Sequence, residues 1–210
     1  ESAAKTSEEK KEEDLEEDKD LLLFSLVCLQ IAYPKIYDLL IEKSDFVIAL
    51  DGAADRFSHW DIVVGDMDSI ENADAHEPDT NPEKSDLAKA LIKYDVDAIV
   101  GIDGGRLDHR LGAFSSLFET KSDAILYFDE WRACRVGSEG LEIELEKGTK
   151  CAIFAFGSVS EVSLNGTVYE LEKEDLASGT RGIGNQSVDE LITISHTGGD
   201  LLFIWEANAL

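Results

Sequence analysis

The hydrophobic pattern changes once along the chain, and that change dictates the fold. From Leu21 to about Trp131, apolar runs alternate with amphipathic stretches. "LLLFSLVCL", "DFVIALDG", "DIVVGD", "DAIVGIDGG" and "DAILYFD" read as strands; "PKIYDLLIEKS", "SDLAKALIKYD" and "RLDHRLGAFSSLFET" read as helices. Ser85 is the expected N-cap of the second helix. Such alternation predicts a mostly parallel sheet covered by helices on both faces. After Trp131 the helical period stops, and short alternating segments follow with turn signals such as Asn165-Gly166 and Gly198-Gly199. The expected architecture is α/β plus all-β: a Rossmann-like N-terminal sheet with flanking helices over 21–131, then a β-sandwich or barrel over 132–210. Residues 1–20, "ESAAKTSEEKKEEDLEEDKD", carry one isolated leucine among charges and read as an acidic, disordered leader.

A formal charge of −26 repels polyanions, and no basic stripe interrupts it, so nucleic acid is excluded as an expected partner. The longest apolar run, "LLLFSLVCLQIAY", is too short to span a bilayer, and its upstream flank is acidic where a signal peptide is basic. A membrane is therefore not expected, and the cytoplasm is the default location. Cys28, Cys134 and Cys151 form no C-x-x-C pair and read as buried thiols. Acidity would also disfavour a nucleoside triphosphate unless divalent cations stand between carboxylates and phosphates.

Aspartates supply a place for such cations. In a chain with 45 acidic residues, three D-x-D triplets occur, Asp18/Asp20, Asp66/Asp68 and Asp95/Asp97. Roughly two are expected by chance, so the triplet alone decides nothing. Position does, because ligands of open parallel sheets bind outside the carboxyl ends of the strands. Three predicted strands deliver acids or glycines there: Asp51-Gly52, Gly65-Asp66-Met67-Asp68-Ser69 and Asp103-Gly104-Gly105-Arg106. Asp86, at a helix start, is placed to face the same edge; the other two triplets have no such setting.

In order, the chain carries "DGAADR" (51–56), "GDMDS" (65–69), "SD" (85–86), "GGRLDH" (104–109) and "GTRGIGN" (179–185). This succession resembles the thiamin pyrophosphokinase family across most of the chain, with "GGRLDH" its most specific piece. The resemblance implies Mg²⁺-dependent transfer of a pyrophosphoryl group from ATP to the hydroxyl of thiamin, giving thiamin diphosphate and AMP. It also implies a homodimer with acceptor sites assembled from both chains. Asp51, Asp66, Asp68, Asp86, Arg106 and His109 are the expected catalytic residues, with Asp66, Asp68 and Asp86 holding Mg²⁺. Gly52, Ser69, Ser85, Gly104, Gly105, Asp108, Thr180 and Asn185 are expected to contact nucleotide or thiamin.

Elementary chemistry agrees with these roles. Mg²⁺ takes one or two carboxylates plus phosphate oxygens, and Arg106 offers a planar fork to phosphate unless Asp103 or Asp108 claims it. Glycines at 104 and 105 allow close backbone approach. Departures from the family pattern are Ala53-Ala54-Asp55 in the first turn, Gly184 where serine is usual, and no aromatic ring after Asn185. They leave two further readings: a pyrophosphokinase for another small alcohol such as a hydroxymethyl pterin, or a non-catalytic binder of thiamin phosphates or nucleotide. Trp131 and Trp205 are expected to serve packing rather than heterocycle stacking. The large side chains of "AIFAF" and "LLFIW" exceed what a small two-layer core covers, so a second copy is expected to bury them.

Overall fold

The computed structural model describes residues 25–28, 40–56, 59–73, 76–102 and 106–207. The acidic segment 1–20 lies outside these, as do Asp103, Gly104 and Gly105. The first half contains five parallel strands: β1 (Ser25–Cys28), β2 (Phe46–Leu50), β3 (Ile62–Val64), β4 (Ala98–Val100) and β5 (Ile125–Tyr127). Their spatial order is β3-β2-β1-β4-β5, every neighbouring pair parallel. Helices α1 (Asp86–Lys93) and α2 (Leu107–Thr120) pack together on one face. Ser85 caps α1 as its sequence demands, the hydroxyl accepting from Ala88 N–H at 3.2 Å.

Strand periodicity distributes the apolar residues between the two faces. Ile48, Leu50, Ile99 and Leu126 join Leu87, Leu91 and Leu117 of the two helices in one core. Val47, Ala98 and Val100 face the other way and pack with Leu40, from a helical segment at residues 40–43. The parallel sheet is thus covered on both sides, as continuous apolar strands require.

The second half is all strand: β6 (Trp131–Val136), β7 (Leu141–Glu144), β8 (Lys150–Asn165), β9 (Leu171–Ala177), β10 (Asn185–Gln186), β11 (Leu191–Ser195) and β12 (Gly198–Glu206). β6 pairs antiparallel with both β5 and β12, so the sheet runs on through residue 131 without a break. The 16-residue β8 bends into a second layer: its first part pairs with β12 and β10, its last part with β9 and β11. Between the layers lies a second core containing Ile153, Val162, Leu164, Ile192, Leu201 and Phe203.

One expectation is corrected here. The "LLFIW" run needs no second copy to cover it, because β12 is a shared wall between the two cores. Leu201, Phe203 and Trp205 face the β-rich core, while Leu202 and Ile204 face the helical one. Of "AIFAF", Ile153 is buried and only Phe156 is markedly exposed.

Candidate functional site

Where β2 and β3 end, the chain turns in a way that converges three carboxylates. Asp51 opens a single 3-10 turn at φ 39°, and Ala54 N–H closes it on the Asp51 carbonyl at 3.0 Å. After β3, Met67 takes φ 64° and buries its side chain with Ala49, Val63 and Ile70. With Met67 anchored inward, Asp66 and Asp68 on either side of it are exposed. Carboxylate oxygens of Asp51, Asp66 and Asp68 then lie within 4.8 Å of one another.

Small residues make this approach possible. A Cβ on Gly65 would stand 2.9 Å from Asp51 Cβ and 3.3 Å from Asp86 Cγ; one on Gly52 would stand 2.8 Å from the Ser69 carbonyl oxygen. Both glycines therefore clear space for close approach rather than for an unusual φ. Ser69 braces the group, its backbone N–H donating to Asp51 Oδ2 at 3.3 Å and its hydroxyl to Asp68 Oδ1 at 2.6 Å.

The electrostatics of Asp51 and Asp68 differ. Asp51 is only 7% exposed, and burial, with the charges of Asp86 and Asp68 behind it, pushes its carboxyl up to about 6 against the opposing Ser69 N–H. Hydrogen bonding from the Ser69 hydroxyl holds Asp68 below the usual carboxylate range. Asp51 Oδ1 is buried with no hydrogen-bond partner among the described residues. A buried carboxylate oxygen facing two more carboxylates is costly unless a cation meets it. Three converging carboxylates, one of them with an unpartnered buried oxygen, suit Mg²⁺.

Asp86 stands beside this trio but outside it, its Oδ1 taking Lys89 Nζ at 2.9 Å. Lys89 is a residue that sequence reasoning missed. Its side chain is 5% exposed, on the same helix as the buried Leu87, Ala88, Ala90 and Leu91. The available signal was a lysine inside that apolar stretch, three residues after an acid. Ser85, besides capping α1, meets the Ser116 hydroxyl of α2 at 3.3 Å.

The remaining expected residues fall into two other places. Arg106 is exposed and forms a two-point ion pair with Asp108, Nε to Oδ1 at 3.0 Å and Nη2 to Oδ2. That guanidinium holds Asp108 below the usual carboxylate range. His109 is exposed on the first turn of α2, its backbone N–H donating to Asp108 Oδ1 at 3.0 Å. Gly104 and Gly105 lie outside the described residues. In the β-rich half, Thr180 is exposed on a loop, whereas Asn185 is buried. The Asn185 amide donates to Thr167 Oγ1 at 3.1 Å and the Tyr169 carbonyl at 2.8 Å, and its oxygen accepts from Tyr169 and Gln186 N–H. Both amide hydrogens and the oxygen are consumed in fastening β10 to the 167–169 turn.

No family model and no curated protein sequence matches this chain. Solved structures do. A thiamine pyrophosphokinase from Bacillus subtilis superposes with a TM-score of 0.68 at 22% identity, covering 88% of this chain and 99% of that one. For a thiamin pyrophosphokinase from Geobacillus thermodenitrificans the figures are 0.71 and 16%, with 89% and 98% covered. For the yeast enzyme they are 0.66 and 14%, with 92% and 89% covered. The chain has a mixed α/β fold, and it is the fold of the thiamin pyrophosphokinases over nearly the whole of both chains.

Proposed function

We propose that this protein is a thiamin pyrophosphokinase, transferring the pyrophosphoryl group of ATP to the thiamin hydroxyl with Mg²⁺ and releasing AMP. The observation that carries the reading is the convergence of the Asp51 carboxylate, one of whose oxygens is buried without a partner, with Asp66 and Asp68 at the carboxyl edge of the parallel sheet. That edge is where a sheet of strand order β3-β2-β1-β4-β5, which we read as Rossmann-like, receives a nucleotide. Asp66 and Asp68, with Asp51, would hold the ion, and Asp86 stands beside them under the control of Lys89. Mg²⁺ there supplies charge neutralisation for the polyphosphate.

The chain's own residues do the remaining work. Asp51, whose carboxyl burial pushes up to about 6, is the group placed to accept a hydrogen bond from an acceptor hydroxyl and orient it. Arg106 exchanges one oxygen pair for another when phosphate replaces Asp108 in its fork. No side-chain nucleophile is required, because the acceptor hydroxyl attacks directly. Gly184 gives no support to a different alcohol: it sits at φ 75°, where glycine is favoured on backbone grounds alone.

A homodimer belongs to the same reading. Val168, Tyr169, Ile183 and Val188 are all about half exposed or more. Backbone bonds join the segments of Val168 and Val188, Val168 N–H to the Gln186 carbonyl and Val188 N–H to that of Gly166, next to "GTRGIGN" in the chain. Light scattering is expected to give twice the 23.1 kDa chain mass. We place the enzyme in the cytoplasm, where ATP is made available and free thiols such as Cys134 and Cys151 persist. Among the described residues no helix is long and apolar enough to cross a membrane.

The test is purified protein with ATP, Mg²⁺ and thiamin, following AMP and thiamin diphosphate together. Equal yields of both products are expected. AMP formation that requires another alcohol, or tight ligand binding without turnover, overturns the assignment.

A further inference from the structure

A buried ammonium stands beside the acid edge. Lys89 projects from α1 with its side chain 5% exposed, on a stretch where Leu87, Ala88, Ala90 and Leu91 are also buried, and its Nζ lies 2.9 Å from Asp86 Oδ1. Taking a lysine out of water is costly unless a negative partner meets it, so the cost of separation holds the pair together. Asp86 is fixed from its own side as well. It is the first residue of α1, where the helix N-terminus favours a negative charge.

The charge of Lys89 reaches beyond Asp86. The Ser69 hydroxyl does most to keep Asp68 ionised, and the Asn81 N–H does most for Asp79, but Lys89 adds to both. Asp79 is strapped to this edge, its backbone N–H donating to the Gly65 carbonyl at 2.8 Å while its carboxylate pairs with Lys93 at 3.2 Å. Gly65 is where the acids crowd. A Cβ there would lie 3.3 Å from Asp86 Cγ and 2.9 Å from Asp51 Cβ, so little more than a missing methyl group separates the two acids. After burial, Asp86 is the chief influence resisting ionisation of Asp51. Paired with Lys89, Asp86 adds little net charge to the edge; without Lys89 it would present an uncompensated one beside the trio.

We propose that Lys89 is a positioning residue that couples the cation to the polyphosphate: by neutralising Asp86, it makes the trio a weak site for Mg²⁺ alone and a strong one for Mg²⁺ arriving with polyphosphate. The inference rests on the reading above, in which this edge holds Mg²⁺ against the phosphates. A free divalent cation is drawn by every uncompensated carboxylate, so a resident ammonium lowers its affinity. The Mg²⁺-triphosphate complex carries net negative charge, so the same ammonium raises its affinity. One side chain thus moves the two affinities in opposite directions, whereas lost packing would weaken both.

Calorimetry on the full chain without acceptor, so that no transfer occurs, tests this with Mg²⁺ alone and with Mg²⁺-ATP. Lys89→Met keeps an apolar stem and is expected to bind Mg²⁺ alone several-fold more tightly, and Mg²⁺-ATP several-fold more weakly, than the native chain. Lys89→Arg retains the charge and is expected to match the native chain in both titrations. Removing both charges together, with Asp86→Asn and Lys89→Met combined, is expected to return both affinities to within about twofold of native. Should Lys89→Met alone fail to fold, the double variant is compared with Asp86→Asn, whose unpaired ammonium is expected to weaken binding of Mg²⁺ alone several-fold. Equal Mg²⁺ binding by those two overturns the proposal. So do affinities for Mg²⁺ and Mg²⁺-ATP that move together in Lys89→Met, or Mg²⁺ binding that it leaves unchanged. Affinities that diverge as expected in a protein that never makes thiamin diphosphate would keep this inference and sink the functional assignment; product formation with affinities that do not diverge would do the reverse.

Discussion

Replacing Asp51 by asparagine is expected to make the cation-free protein more stable while destroying its activity. The Asp51 carboxyl has an ordinary value of 3.8 and is pushed up to about 6 in the folded chain. Above about 6 it is ionised in both folded and unfolded states, and the folded state bears the whole cost of the buried charge. Below 3.8 it is protonated in both, and the cost vanishes. Stability attributable to this residue therefore falls as pH rises through the window between about 4 and 6. The gap corresponds to about 3 kcal/mol.

Asparagine keeps the shape, tolerates the left-handed φ of 39° and carries no charge. Its amide can also donate toward Asp68 or Asp86. Allowing for relaxation of the neighbours, Asp51→Asn is expected to raise Tm by about 5 °C at pH 8 in EDTA. Near pH 4 the two proteins should melt together. Added Mg²⁺ is expected to stabilise the native sequence more than the variant, since an ion that binds the folded state shifts unfolding by mass action. Urea or thermal denaturation from pH 4 to 8, with and without Mg²⁺, measures all of this. A variant less stable than the native protein at pH 8 in EDTA, or a stability difference that ignores pH, would refute the account of Asp51.

Other substitutions probe the rest of the site. Asp66→Asn and Asp68→Asn are each expected to lower kcat/KM for ATP about a hundredfold or more, whereas Asp95→Asn, in the D-x-D triplet away from the edge, leaves it unchanged. Gly65→Ala drives a methyl group to within 2.9 Å of Asp51 Cβ, so it is expected to cost about 1–3 kcal/mol in urea denaturation and to lower turnover with it. Lys89→Met removes the cation that pairs with Asp86, and calorimetry is expected to show nucleotide-free Mg²⁺ binding several-fold tighter, with Lys89→Arg close to native. Gly184→Ser forces a side chain onto φ 75° and is expected to lose about 1 kcal/mol of stability without improving the KM for thiamin.

What the sequence disclosed follows from local rules, and what it concealed follows from partners. The Ser85 cap, the turn of α1 that follows it and the strands ending at Leu50 and Val64 are short-range consequences of residue type and period. Convergence of Asp51 with Asp66 was legible because neighbouring parallel strands must release their following residues at one edge. Nothing local announces that Lys89 buries its ammonium against Asp86, or that Arg106 closes on Asp108. Asn185 illustrates the same limit: its place in a motif points to a ligand, but its two donors and its oxygen are spent on residues 16 to 18 positions away and on its neighbour. The sheet's continuity through β6 was hidden because Asp129 and Glu130 interrupt the apolar pattern, which reads as a boundary when it is a hairpin turn.

The backbone itself separates the acid cluster from ordinary acidic surface. Among the described residues, five that are not glycine have positive φ: Asp51, Met67, Lys121, Glu161 and Lys173. Lys121 ends α2 in the left-handed cap that terminates many helices. Glu161 falls at the irregular register of β8 with β9, and Lys173 lies in the facing stretch of β9, where bulges carry the bend between layers. Asp51 and Met67 end no long helix and bend no sheet. Each costs about 1 kcal/mol or more, and strain of this kind persists only where surrounding structure enforces it. Here the enforcement is visible: Met67 is held in the core, Ser69 ties Asp51 to the next turn, and Gly65 leaves just enough room for the carboxylates. The crowded charge and the unsatisfied buried oxygen on this edge are costs that a cation would offset, while the backbone strain is held by the packing around it. In a chain of net charge −26, the divalent cation proposed for this edge would relieve both of those costs and let a polyphosphate approach past the repulsion that keeps other anions away.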